Sequence, residues 1–449
     1  MIIPSLPKDV SNRQFLAKAN IVMKLMSNYP GDFIEKISNA KKRIHYERKV
    51  VRFICKHFGE APKKPDDISV EDVKFGNVGC RIYVPNENVK KNDGAIIFSH
   101  GGAWLHNKAK YYDETCFDLA IKVGCVVISV DYRRAPEHIF PAGLNDCWNV
   151  VEDFCSNSYK KYNVNNKKIC VMGDSAGGNF SAVMALRDNK YKTGYLKCQV
   201  LLYPVVSCFE CESPSFQECN ALYKNTVLLQ PKMGTRAVLL YLGLPATKKN
   251  IKKVLSNSCA TEEIRKHPNV VKNLDISLLP EEILNSKYYK PKTYPPPDAK
   301  FAETFSKAAF NPEFAPLFSS DEETIGMCDA MVVTCQYDVL RDEGILYAKK
   351  LKRLGVNTEW KNYNKAYHGI FTIKGCELQE EIFNDVVNYV RKKFEEEDNI
   401  IVENEKSKNE VTNTNKDISL ESKKDDIRNV EDSGYEDSTS SFCGSSNGF

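Results

Sequence analysis

A serine on a glycine-hinged turn, followed later in the chain by an acid and then a histidine, is the minimum equipment for nucleophilic hydrolysis. Ser175 lies in Gly173-Asp174-Ser175-Ala176-Gly177-Gly178, after the apolar run Ile169 to Met172 and before a helix-like stretch from Asn179 to Leu186. A nucleophilic hydroxyl must be lifted on a sharp strand-to-helix turn, and glycines two residues to either side let the backbone make that turn without clashes. The bare pattern G-x-S-x-G is weak evidence; its position between strand and helix makes it much stronger. A hydroxyl is a poor nucleophile until a base takes its proton. Only His267 and His368 follow Ser175, and His267 sits in a charged stretch far from any strand end. His368, in Ala366-Tyr367-His368-Gly369-Ile370-Phe371, comes just after the last strand-like run and is the expected base. The acid that orients it belongs on the preceding strand-to-helix turn, Gln336-Tyr337-Asp338-Val339-Leu340-Arg341-Asp342. Asp338 is nearest the strand end and is preferred over Asp342, which suits the start of the next helix.

Acyl transfer also needs N–H donors aimed at the oxyanion of the tetrahedral intermediate, each worth ~3 kcal/mol of barrier. His100-Gly101-Gly102-Ala103-Trp104 follows the strand-like Ala95 to Phe98 and can supply the amides of Gly101 and Gly102, with the amide of Ala176 as the third. The segment Asp131-Tyr132-Arg133-Arg134-Ala135-Pro136-Glu137-His138-Ile139-Phe140-Pro141 reads as a rigid loop bracing that oxyanion loop.

These positions require a scaffold whose strand ends converge. Apolar strand-like runs at Ala95 to Phe98, Cys125 to Val130, Lys168 to Met172, Cys198 to Leu202, Ala330 to Cys335 and Asn357 to Lys361 alternate with helical stretches. That alternation predicts an α/β fold with a mostly parallel central sheet flanked by helices. A hairpin, Val73 to Phe75 and Cys80 to Val84, is expected at one edge. Residues 1–70 read as a helical arm that is part of a cap, and 71–396 as the catalytic domain. Residues 203–326, too long for a loop, read as an inserted helical cap. Residues 397–449 are polar and charged, and are expected to be a disordered tail with no assignable partner. Within the tail, Asp432-Ser433-Gly434-Tyr435-Glu436-Asp437-Ser438 loosely matches a phosphorylation-dependent degradation signal.

With 63 basic and 59 acidic residues, the chain has no global electrostatic footprint for nucleic acid. Sixteen cysteines in 449 residues are too scattered for a disulfide scaffold. The Cys208 and Cys211 pair lacks the second pair that a zinc site needs. The apolar runs fall short of the ~20 residues that span a bilayer, and the N-terminus lacks the pattern of a secretory signal, so the default expectation is a cytoplasmic protein.

Together the HGG loop, the DYRRAPEHIFPAGLNDC segment, GDSAGG, QYDVLRDEG and the late His-Gly resemble the hormone-sensitive-lipase branch of α/β-hydrolases. Within it the chain is similar to arylacetamide deacetylases and neutral cholesterol ester hydrolases. The resemblance runs from Val73 to Phe394 and more faintly through Ser5-Leu6-Pro7. It implies hydrolysis of apolar carboxylic esters or arylacetamides under a hydrophobic cap, without metal or cofactor. The partner is then a small-molecule ester or amide, and any peripheral membrane contact would be made through the cap. Relatives carry a third glycine where this chain has Ala103, and an N-terminal anchor in the endoplasmic reticulum membrane near where this chain begins. An anchor upstream would change the expected location to that membrane. The competing expectation is a catalytically inactive small-molecule-binding member of the same fold, which would typically have lost the base.

Overall fold

The computed structural model describes residues 6–57, 62–207, 213–291 and 295–399. The chain divides into two compact units, Met1–Phe394 and Glu395–Phe449. Of the second, only 395–399 are described, all helical, and the fold below is that of the first. The Cys208 and Cys211 pair and the segment around Ser433 lie outside the described residues.

Eight strands form one sheet: β1 (Ile68–Phe75), β2 (Val78–Pro85), β3 (Ala95–Ser99), β4 (Val126–Val130), β5 (Ile169–Asp174), β6 (Cys198–Leu202), β7 (Asp329–Tyr337) and β8 (Thr358–Tyr367). Their order is β1-β2-β4-β3-β5-β6-β7-β8. The first pair is the expected hairpin, and β2 also meets β4 antiparallel. Every pairing from β4 to β8 is parallel. The strands β3 to β6 are buried at every position, which is why they read in the sequence as continuous apolar runs rather than alternations.

Each strand splits its side chains between two cores. On one face Ile97, Ile128, Val171, Leu201 and Val332 pack with Val150, Val183 and Ile345 from helices Ala142–Ser156, Ala176–Tyr191 and Arg341–Arg353. On the other, Phe98, Val127, Met172, Val200 and Val333 pack with Phe117 of helix Asp113–Leu119 and with Phe383 and Val390 of a helix that begins at residue 377. Each such side chain contributes about 1.5–3 kcal/mol when fully buried, so a sheet covered on both faces is held by many small terms.

Between β6 and β7 the described chain is mainly helical, including Pro214–Leu222, Pro231–Tyr241, Lys248–Leu255 and Ala299–Ala309. At the N-terminus, helix Arg13–Met23 runs through a π turn, Lys24–Asn28, into helix Tyr29–Ile37, followed by helix Ala40–His57. The expected helical arm is therefore interrupted at Ser38 and Asn39. The Asn39 side chain accepts the Lys42 N–H at 3.0 Å, a local bond that favours a new helix start over continuation.

Candidate active site

Parallel pairing puts the C-terminal ends of β3, β5, β7 and β8 on one edge of the sheet. The four segments singled out in the sequence all leave the sheet there: His100 after β3, Ser175 after β5, Asp338 after β7 and His368 after β8.

Ser175 sits between β5 and the 16-residue helix Ala176–Tyr191 at φ 57°, ψ −117°. That is a left-handed φ which a side-chain-bearing residue adopts at a cost of order 1–3 kcal/mol. The cost is met by fixed neighbours: its N–H donates to the Leu202 carbonyl at 2.9 Å, and its carbonyl accepts from Asn179 N at 3.0 Å. A Cβ on Gly177 would lie 1.8 Å from the Ser99 carbonyl oxygen, so the helix can press against β3 only through a glycine.

His368 Nε2 is 2.9 Å from Ser175 Oγ, and His368 Nδ1 is 2.7 Å from Asp338 Oδ2. In the neutral tautomer that fits these partners, Nδ1–H donates to Asp338 and Nε2 accepts from the Ser175 hydroxyl. Asp338 is fully buried, and its other oxygen accepts the Leu340 N–H at 3.0 Å. Asp342 has a different place. It accepts the Ser215 N–H at 2.6 Å and pairs with Arg341 Nε at 2.8 Å, and Arg341 also reaches Glu218 at 2.6 Å. His267 caps helix Pro268–Asn273, its Nδ1 accepting the Asn269 N–H at 3.2 Å.

The oxyanion loop differs from the sequence expectation at Gly101. Its N–H points inward, to Asp174 Oδ1 at 2.7 Å and the Tyr112 hydroxyl at 3.1 Å, and is not open to a substrate. Gly101 is required for another reason, since a Cβ there would meet Asp174 Oδ2 at 2.3 Å. Among the described residues no internal acceptor engages the amides of Gly102, Ala103 and Ala176. Ala103 thus presents an uncommitted amide where Gly101 does not. Ala103 and Trp104 both take positive φ, 53° and 59°, and the loop is closed by Leu105 and His106 N–H groups donating to the Gly102 carbonyl.

Several supporting residues lie within the sequence motifs, with individual contacts that spacing alone does not assign. Burial pushes the Asp174 carboxyl up to about 6, despite the N–H of Gly101 and the hydroxyl of Tyr112 that donate to it. Burial likewise pushes His100 down to about 4, keeping a neutral ring stacked on Tyr132 with centroids 4.2 Å apart. The Tyr132 hydroxyl donates to the His100 carbonyl at 2.6 Å, and the Ala135 N–H donates to the Trp104 carbonyl at 3.0 Å. The loop from Asp131 to Pro141 therefore braces the oxyanion loop through the bonds of Tyr132 and Ala135. Glu343 is held by the N–H groups of Val206 and Ser207 at 2.8 and 3.2 Å, and burial pushes its carboxyl up to about 8.

Two hollows open on Ser175. A cleft of about 280 Å³ contains His368, Gly102 and Ala103, with Ile44, Met233 and Arg236 on its walls. A smaller, apolar chamber of about 70 Å³ is walled by Trp104, Val205, Phe216, Val238 and Leu340, with Glu343 at its margin. No cluster of His, Cys, Asp and Glu able to hold a metal occurs among the described residues. Nor is any described helix long and apolar enough to cross a membrane.

A family profile described as the α/β hydrolase fold matches residues 96–271 and 293–372. The arylacetamide deacetylase of Bos taurus is 31% identical over 74% of this chain and 82% of its own length. Neutral cholesterol ester hydrolase 1 of Mus musculus is 29% identical over 72% of this chain and 79% of its own. Among solved structures, an esterase of Rhizomucor miehei superposes with a TM-score of 0.56 at 23% identity, covering 78% of this chain and 90% of that one. An esterase of Pyrobaculum calidifontis gives 0.54 at 24% identity, over 83% and 97%.

Proposed function

From the premise that this chain belongs to the α/β-hydrolase family and is a carboxylester hydrolase, we propose that it cleaves apolar acyl esters through an acyl-enzyme on Ser175. The observation that carries this reading is the continuous relay of Ser175, His368 and Asp338 at 2.9 and 2.7 Å. His368 takes the Ser175 proton as Oγ attacks the acyl carbonyl, and returns it to the departing alcohol. Asp338, charged and buried, holds the ring in the tautomer that can accept that proton and stabilises the imidazolium that forms. The carbonyl oxygen becomes an oxyanion facing the amides of Gly102, Ala103 and Ala176, with the N-terminus of the Ala176–Tyr191 helix behind it. Water, activated by the same histidine, then releases the acid.

The apolar chamber beside Ser175 favours an apolar substituent on one side of the scissile bond, and the larger cleft leaves room for the other. Arylacetamides would use the same residues with a poorer leaving group. The test is hydrolysis of 4-nitrophenyl esters from acetate to palmitate, alongside an arylacetamide, by the wild type and Ser175→Ala. Turnover that vanishes in the variant supports the assignment, and the chain-length optimum measures the pocket. Folded wild type no faster than the variant on every substrate would leave the ligand-binding reading in its place.

A further inference from the structure

The N-terminal arm wears its apolar residues on the outside. Phe15, Val22, Leu25, Tyr29, Phe33 and Ile37 recur at helical steps through helices Arg13–Met23 and Tyr29–Ile37, and each is 43–66% exposed. The buried positions of the same stretch are Leu16, Asn20, Ser27 and Gly31, three of them polar or lacking a side chain. A helix packed on a core shows the opposite arrangement, with its apolar stripe inward. The stripe spans the 23 residues from Phe15 to Ile37, about 33 Å from end to end at helical rise, and an exposed apolar surface of that extent marks an interaction site.

Charge identifies the occupant. Between residues 6 and 57 there are twelve Lys and Arg against four Asp and Glu, a formal +8 in a chain whose total is +4. The acids are also engaged: Asp32, Glu35 and Glu47 all pair with the buried Arg43, Asp32 while remaining exposed and the two glutamates from largely buried positions, and the exposed Asp9 accepts the Tyr337 hydroxyl. Lys18, Lys36, Lys41 and Lys42 stay exposed. We propose that this arm is a docking surface for a bilayer containing anionic phospholipid, the stripe entering the headgroup boundary and the flanking lysines meeting the phosphates. Two copies of the chain meeting face to face here would oppose like charges, which disfavours a second copy as the occupant.

The arm leads directly into helix Ala40–His57, whose Ile44 and Glu47 line the cleft that contains Ser175. A docked arm therefore brings the cleft to the phase in which apolar esters dissolve. This consequence rests on the ester-hydrolase reading; the docking itself does not.

The test is flotation of the full-length protein with vesicles of phosphatidylcholine, alone or with about 30 mol% phosphatidylserine. The expected result is about tenfold more protein floating with the anionic vesicles, reduced several-fold when salt is raised from about 0.1 to 0.5 M. Leu25→Glu with Phe33→Glu should lose about tenfold of that binding while 4-nitrophenyl acetate turnover stays within about twofold. Ser175→Ala should float like the wild type, so a failed hydrolase reading would appear as absent turnover with flotation intact. Wild type that does not float, or a double variant that floats equally well, would overturn the proposal. So would a wild-type dimer that the same substitutions split into monomers, without vesicle binding by either.

Discussion

Asp338, fully buried, and Glu343, half-buried, lie five residues apart, and the proposed mechanism uses only the first. Asp338 must stay charged. Asp338→Asn would preserve packing but favour the wrong histidine tautomer, and kcat should fall about 10³- to 10⁴-fold with KM nearly unchanged, read from steady-state kinetics on 4-nitrophenyl butyrate. Among the described residues no cation pairs with Glu343, and removal from water raises its carboxyl from 4.5 to about 8. The folded state then holds a proton that the unfolded state has released. Stability from this group is fully present below about pH 4.5 and is lost as pH rises through about 8, by at most about 5 kcal/mol. Glu343→Gln keeps an acceptor for Val206 and Ser207 and removes the titration. Denaturant melts between pH 5 and 8.5 should fall less steeply for the variant than for wild type. Gly101 shows the limit of reading residues one by one, because the group that captures its N–H is Asp174, 73 positions away. The motif around Ser175 contains that aspartate, but nothing in the spacing tells which way the Gly101 amide turns.

At the scale of elements, the elbow depends on how closely helix Ala176–Tyr191 approaches β3. Gly177→Ala places a Cβ into the Ser99 carbonyl, and since backbone meets backbone neither side can yield by a rotamer change. The expected outcome is a loss of well over 3 kcal/mol, or no folded protein, by thermal melting or solubility on expression. The strands were legible because four of them are buried on both faces and bounded by turn residues. Their ends were less so. The β1 strand begins at Ile68 rather than Val73 because, of its early residues, only Ile68 is buried while Ser69, Glu71 and Asp72 are exposed, a weaker pattern than an apolar run. The β7 strand continues to Tyr337 past an irregularity between Cys335 and Tyr337, which carries the chain to the position of Asp338. Trp104 joins the oxyanion loop to the cap, stacked on Tyr241 at 4.5 Å and 3°. Both residues are plain in the sequence, but only tertiary packing reveals the pair.

For the first unit as a whole, arm and cap are tied together beside the cleft. Glu35 of the arm pairs with Arg236 of helix Pro231–Tyr241 at 2.9 Å, and Arg236 lines the cleft. Glu35 also serves Arg43, so Glu35→Ala leaves two largely buried guanidiniums short of a carboxylate. The arm should loosen, and limited trypsin digestion should cut within residues 13–57 several-fold faster while the sheet region resists. The central claim remains that Ser175 is the nucleophile activated by His368, and the most direct measurement is intact-mass analysis and peptide mapping after treatment with a fluorophosphonate. One adduct, on the peptide containing Ser175, absent in Ser175→Ala and formed far more slowly in His368→Ala, is the predicted result. Folded wild-type protein that forms no adduct, or forms it on another residue at the same rate in the Ser175→Ala variant, would contradict it.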